Sequence, residues 1–284
     1  MRWQGGRQST NVIDARGGGG WMRPAGGIGC GGFLVVIVIA LLTGADPSAL
    51  LRLLGGTGTG APAEAPAAPP GGAPQDQLGR FASVVLADTE DTWQAIFARS
   101  GSRYEAPQLV LFNGSVGSAC GYASAAVGPF YCPADRRLYL DLTFFEEMAR
   151  RLQAPGDFAQ AYVIAHEVGH HVQNLTGLAG QVRDAQQRSR SKADANALSV
   201  RMELQADCLA GVWAYHAHRE RSLLEPGDVE EGLQAAAAIG DDTLQRRGAG
   251  HVQPESWTHG SSEQRVTWLR RGMESGDPGR CSTL

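Results

Sequence analysis

Apolar positions change their rhythm along this 284-residue chain, and the changes mark its elements. From Thr143 onward they recur every three or four residues, the period of a helix buried on one side. "FFEEMARRL" comes first and "DFAQAYVIAHEVGHHVQNLTG" next, followed by a long helix around Leu198 to Tyr215, another around Val229 to Ile239 and a last from Ser262 to about Met273. In the long helix Leu198, Met202, Leu209 and Trp213 form the expected buried stripe. Asp157 with Gln160 fits a capping box, and Asn174 before Gly177 fits a stop, so residues 158–175 read as one bounded helix. Ahead of Thr143, "PQLVLFNG" and "RRLYLDLTFF" are short β-rich runs expected to pair as an antiparallel hairpin. "DTEDTWQAIFARSG" predicts a helix starting near Thr92, with Trp93, Ile96 and Phe97 on one face and Gly101 at its end. A few strands followed mostly by helices indicate an α+β domain.

The N-terminal quarter follows none of these rhythms. "IGCGGFLVVIVIALLTG" holds an unbroken apolar run from Phe33 to Leu42, extended by Ile28 and small residues to Thr43, slightly short of the roughly 20 residues that span a bilayer. Arg2, Arg7, Arg16 and Arg23 precede it against the single Asp14, the bias expected of a cytoplasmic N-terminus with the remainder outside. The expectation is an uncleaved single-pass anchor; a signal peptide processed near "TGA" at 43–45 is the alternative. Residues 44–75 are Pro, Gly and Ala with almost no large apolar side chain, the composition of a flexible tether. The partition expected is a cytoplasmic segment 1–27, a transmembrane helix 28–43, a linker 44–75 and an extracytoplasmic folded domain 76–284.

Charge and cysteines narrow the classes. A formal net charge of −4 with 19% charged residues leaves no basic stripe, which excludes nucleic acid as a partner. Cys120 and Cys132 flank the "GYASAAVGPFY" loop and are expected to pair, leaving Cys208 with Cys281. Four free buried thiols are the alternative, which holds if the chain is not exported.

The chemistry concentrates in "AHEVGHHVQ", residues 165–173. His166 and His170 are one helical turn apart on one face, a spacing at which two imidazoles can hold one Zn²⁺ and leave room for water. Glu167 follows about 100° around the axis, within reach of that water's proton. His171 is turned away by a similar angle and reads as a supporting or surface residue. Downstream, "RMELQADCLAGVWA" supplies Glu203 as a third ligand from a crossing helix. Asp207, a turn later, could accept a hydrogen bond from the non-ligating N–H of a zinc histidine. An acidic pair on a solvated helix edge is the plain alternative. His216, His218 and His251 lack ligand spacing to this group.

The segments "AHEVGHHVQN", "ELQADCLAGVW", "SACGYASAAVGPFYCPAD" and "THGSSEQRVTWLRRG" together resemble the neutral zinc metallopeptidase family, whose members are typically membrane-tethered. The pairing of His-Glu-x-x-His with Glu-x-x-x-Asp is more distantly similar to the gluzincin peptidases. The resemblance implies a zincin-like fold with Zn²⁺ on His166, His170 and Glu203, Glu167 as general base, and a peptide or protein substrate. It also implies an oxyanion stabiliser in the Thr-His segment; His259 is the candidate, with Arg265 close by near a helix start, and a capping or loop role for His259 is the alternative. The Cys120 hairpin is a candidate edge for pairing with an extended peptide. Two rival functions remain: a non-enzymatic zinc-containing module that binds envelope proteins, and a zinc amide hydrolase acting on a cell-wall component.

Overall fold

A computed structural model describes residues 1–16, 73–124 and 128–283. Its main sheet has four strands: β1 (Val12–Asp14), β2 (Gln108–Phe112), β5 (Phe130–Cys132) and β6 (Arg137–Asp141). Their spatial order is β1-β2-β6-β5, and β3 (Ser115–Ser118) and β4 (Gly121–Ser124) form a separate hairpin. The helices are α1 (Gln77–Arg99), α2 (Thr143–Arg151), α3 (Asp157–Leu175), α4 (Leu178–Gln187), α5 (Lys192–Arg221), α6 (Asp228–Ala238), α7 (Asp241–Gly248) and α8 (Ser262–Ser275). The α+β, mostly helical class therefore stands.

Strand alternation shows where the core sits. Along β2, Leu109 and Leu111 face the helices, while Val110 and Phe112 face the β3–β4 hairpin. β6 repeats this with Leu138 and Leu140 on the helical side and Tyr139 on the other. Both faces of the sheet are covered, which explains why these runs lack the polar alternation of a half-exposed strand. On the helical side Phe158 of α3 stacks on Trp213 of α5, whose indole N–H donates to Asp88 of α1 at 2.7 Å.

Four expectations are corrected. β2 and β6 are parallel, with Leu109 opposite Leu138 and Leu111 opposite Leu140. The chain reverses through β5, antiparallel to β6, before entering it, so the intervening segment is itself structured and the two runs cannot form a hairpin. α1 begins at Gln77 instead of near Thr92, because Asp76 caps it through the Gly79 N–H and the stretch from Phe81 to Glu90 is buried. The capping box at Asp157 is replaced: Gly156, at φ 116°, precedes the helix, and Glu231 of α6 accepts the Phe158 N–H at 3.1 Å. A Cβ at Gly156 would overlap that Glu231 carboxylate, so cap and glycine require each other.

The fourth correction concerns where the folded unit begins. Residues 1–16 belong to it. β1 pairs in parallel with β2, Val12 opposite Leu109. Glu90 of α1 accepts the Ser9 hydroxyl at 2.6 Å and the Asn11 amide at 2.8 Å, and the Met1 amino group is held by Asp157 at 2.9 Å. Its few apolar anchors, Met1 and Val12 in the core and Trp3 against Phe81, are too widely spaced to show a helical or strand rhythm, and backbone pairing and charge hold the rest. The expected span at 28–43 and linker at 44–75 lie outside the described residues, and no helix of the described residues is long and apolar enough to cross a membrane. Both expected disulfides are present, Cys120–Cys132 and Cys208–Cys281. The first ties the β3–β4 hairpin to β5 and the second ties α5 to the C-terminal segment.

α5 and α8 cross with their backbones in close approach. A Cβ at Gly272 would overlap the Cys208 carbonyl oxygen, and one at Gly211 would overlap the Leu269 carbonyl oxygen. Backbone cannot step aside as a side chain can. Gly272→Ala should lower stability by about 1–3 kcal/mol in a urea titration, the cost of overpacking a tight contact. Gly180→Ala, at an exposed helical site with nothing within 4 Å, should instead raise it by about 0.5–1 kcal/mol. Equal effects at both positions would contradict this packing.

Candidate metal centre

The site is assembled where α3 crosses α5. Gly169 sits at the crossing: a Cβ there would lie 3.0 Å from the Ala206 carbonyl oxygen and 3.1 Å from its Cα. The missing side chain lets α5 approach until Glu203 and Asp207, one turn apart, reach the imidazole of His166. His166 Nε2 lies 3.1 Å from one Glu203 oxygen, and His170 Nε2 lies 3.4 Å from the other. One ligand atom from each of His166, His170 and Glu203 falls within 4.8 Å of the others. Two imidazole nitrogens and one carboxylate oxygen suit Zn²⁺ and leave a fourth position for a non-protein ligand, so this donor set fits the metal.

His166 is oriented from behind. His166 Nδ1 donates to Asp207 Oδ1 at 2.8 Å. The same oxygen accepts the Tyr162 hydroxyl at 2.6 Å, and the Arg265 guanidinium reaches both Asp207 oxygens, at 2.8 and 2.9 Å. Asp207 is fully buried and Arg265 nearly so. Burial alone would raise the Asp207 pKa, but the Arg265 and His166 charges outweigh it and hold the carboxyl down at about 2. The opposite balance acts on His166. Burial lowers its pKa, and Asp207 with Glu203 raises it to about 10 in the metal-free site.

Glu167 is half-buried beside this group. Burial pushes its carboxyl upward, opposed by the charges of His170 and His166 and, least, by the nearby Tyr131 backbone N–H. That last contact comes from β5, the edge strand of the main sheet. His171 explains how β5 is held there. It is fully buried, and it is a structural link instead of a surface residue. Its Nε2 donates to the Glu105 carbonyl oxygen at 2.7 Å, and its Nδ1 accepts the Tyr131 hydroxyl at 3.0 Å. Burial, the largest influence, lowers its pKa to about 4 and keeps the ring neutral.

His259 and Asp241 form a buried pair on the far side of Glu203. Asp241 Oδ1 accepts from His259 Nδ1 at 2.9 Å, while Asp241 Oδ2 collects the backbone N–H groups of Thr258, His259 and Gly260 at 2.8, 2.7 and 3.0 Å. This one carboxylate shapes the Thr-His-Gly turn, and the His259 side chain is close enough for its charge to act on Glu203. Sequence reasoning missed Asp241. Eighteen residues and an intervening loop separate it from His259, and its only local signal is an acidic pair opening a helix. Tyr131 and Tyr162 were missed too, because their roles come from contacts between elements. His216 makes its contacts elsewhere, with Glu220 and the Gly276 carbonyl, and His218 and His251 are exposed.

Comparison with known proteins places the whole chain in one family. Across residues 1–284 the chain matches the family model described as "Putative neutral zinc metallopeptidase". It is 47% identical to "Uncharacterized protein YpfJ" of Escherichia coli K12 over 293 aligned positions, covering 100% of this chain and 99% of that protein. It is 43% identical to "Uncharacterized protein Rv2575" of Mycobacterium tuberculosis over 215 positions, covering 72% of this chain and 71% of that one. No solved structure matches it. With the whole chain inside one family model and a full-length relative at nearly half identity, the protein belongs to the neutral zinc metallopeptidase family, and Zn²⁺ is its metal.

Proposed function

We propose that this protein hydrolyses peptide bonds at a zinc ion held by His166, His170 and Glu203. The observation that carries the reading is the convergence of those three donors, with the partly buried Glu167 at their side. Bound there, zinc would polarise the scissile carbonyl and make water acidic at neutral pH. Glu167, with its carboxyl pushed upward by burial, takes the attacking water's proton and passes it to the departing amine. His259, held through Nδ1 by Asp241, is the side chain that would stabilise the developing oxyanion. β5 offers an edge on which an extended substrate can lie, held beside Glu167 by its contacts with His171 and stiffened by Cys120–Cys132. Among the described residues the cluster has three protein donors, which supports catalysis over a closed, purely structural zinc site.

Two disulfides support an extracytoplasmic location for the domain. The pairing of β1 with β2 then argues that residues 1–16 lie on that same side, so our reading does not include a single membrane crossing between them and the domain.

Glu167→Gln should retain zinc and lose about 10²–10⁴-fold in turnover on a library containing unfolded proteins and cell-wall peptides, followed by mass spectrometry. Equal turnover in both proteins would remove Glu167 as base. A zinc-loaded parent that cleaves nothing would leave a binding module in place of an enzyme.

Zinc affinity should fall with pH. The raised pKa of His166 in the metal-free site means that a proton occupies the ligand nitrogen well below about 10, and zinc must displace it. Each displaced proton weakens apparent binding by about tenfold per pH unit. Chelator competition at about pH 6 and about pH 8 reads this slope, and a flat response would contradict the assignment.

Side of the membrane can be read with a membrane-impermeant thiol reagent on intact cells. Cysteines introduced at the exposed Gln4 and Glu263 should label alike. Labelling of Glu263→Cys alone would restore a crossing between the two segments, and labelling of neither would overturn the extracytoplasmic location.

A further inference from the structure

Gln173 lies three residues after His170 on α3, is almost fully buried, and has no part in the chemistry above. Its side-chain amide touches three groups. Oε1 is 2.9 Å from His170 Nδ1, and Nε2 is 2.7 Å from the Met202 carbonyl oxygen and 3.0 Å from Gln205 Oε1. A backbone carbonyl can only accept, so the amide nitrogen must face Met202. That turns the amide oxygen toward His170, and an amide oxygen can only accept in its turn. His170 must therefore carry its proton on Nδ1, which leaves the Nε2 lone pair directed at Glu203, 3.4 Å away. Met202 flanks Glu203 on α5, so the same amide that selects the tautomer of one ligand also ties down the turn that presents another.

We infer that Gln173 is a positioning residue of the metal centre: a single buried amide fixes His170 as an Nε2 ligand and locks its register against Glu203. This rests on the metal-site reading but not on peptidase activity. Supports of this kind orient ligand histidines, and removing one weakens metal binding by about 10–100-fold. The two zinc histidines are then held by different means. His166 is backed by a carboxylate paired with Arg265, and His170 by a neutral amide that adds no charge to an already acidic pocket.

The test uses the full chain and zinc alone. Gln173→Leu removes the acceptor and the tether, whereas Gln173→Glu keeps an oxygen for His170 Nδ1 and loses the bonds donated to Met202 and Gln205. By chelator competition Gln173→Leu should bind zinc about 10–100-fold more weakly than the parent, with Gln173→Glu recovering most of that loss. Nitrogen-15 imidazole spectra of the zinc-loaded proteins should show His170 bound through Nε2 with Nδ1 protonated in the parent and in Gln173→Glu, and a mixed pattern in Gln173→Leu. A merely structural glutamine would alter melting of the metal-free protein without changing that pattern. If Gln173→Leu fails to fold, the parent and Gln173→Glu spectra decide: a parent ligating through Nδ1 overturns the inference. A folded Gln173→Leu with parental affinity overturns it while leaving the metal site standing, and a parent that takes up no zinc overturns both.

Discussion

The crossing of α3 over α5 at Gly169 is the constraint on which the rest depends. Imidazole and carboxylate side chains extend only a few ångströms from their backbones, so three ligands from two helices can meet only if the helices nearly touch. The absence of a side chain at Gly169 allows Ala206 to pack against the helix backbone, and this brings Glu203 and Asp207 to the two ring nitrogens of His166. Glycine inside the His-Glu-x-x-His segment is thus part of the geometry that brings the three candidate donors together although it carries no functional group.

Close approach has an electrostatic consequence. It buries Glu203, Asp207, Arg265 and His166 in one place beside the partly buried His170, where any uncompensated charge would be costly. The protein answers with reciprocal pairing: Arg265 neutralises Asp207, Asp207 orients His166, and Tyr162 takes a further position on the same carboxylate. Arg265 reaches this point because α8 packs on α5 through Gly211 and Gly272. The second tight crossing therefore serves the first. The disulfide from Cys208 to Cys281 closes the same corner, one residue beyond Asp207.

The opposite side of α3 is organised by neutral groups. His171 stays uncharged because it is buried, and it joins the helix to Glu105 and to Tyr131 on the edge strand. A helix turn with three histidines consequently divides its labour by direction. His166 and His170 face Glu203, while His171 fastens the strand that carries Tyr131.

Much of the site was legible in the sequence because it depends on local spacing. Candidate ligands at i and i+4 on one helix, and a Glu-x-x-x-Asp on another, are set by helical period alone, and the pairing of Cys120 with Cys132 follows from the short loop they flank. The α+β class followed from the same periodicities. Tertiary structure alone decided the rest, since the remaining contacts join segments with no shared period. The parallel pairing of β2 with β6 depends on where an intervening strand reverses, and the inclusion of residues 1–16 depends on a strand bond made some hundred residues away. Asp241 beneath His259 and Gln173 beneath His170 acquire their roles only when a loop or a second helix supplies the partner. Side-chain spacing along one element is written in the chain; which groups meet across elements is settled by how closely the backbones can pack.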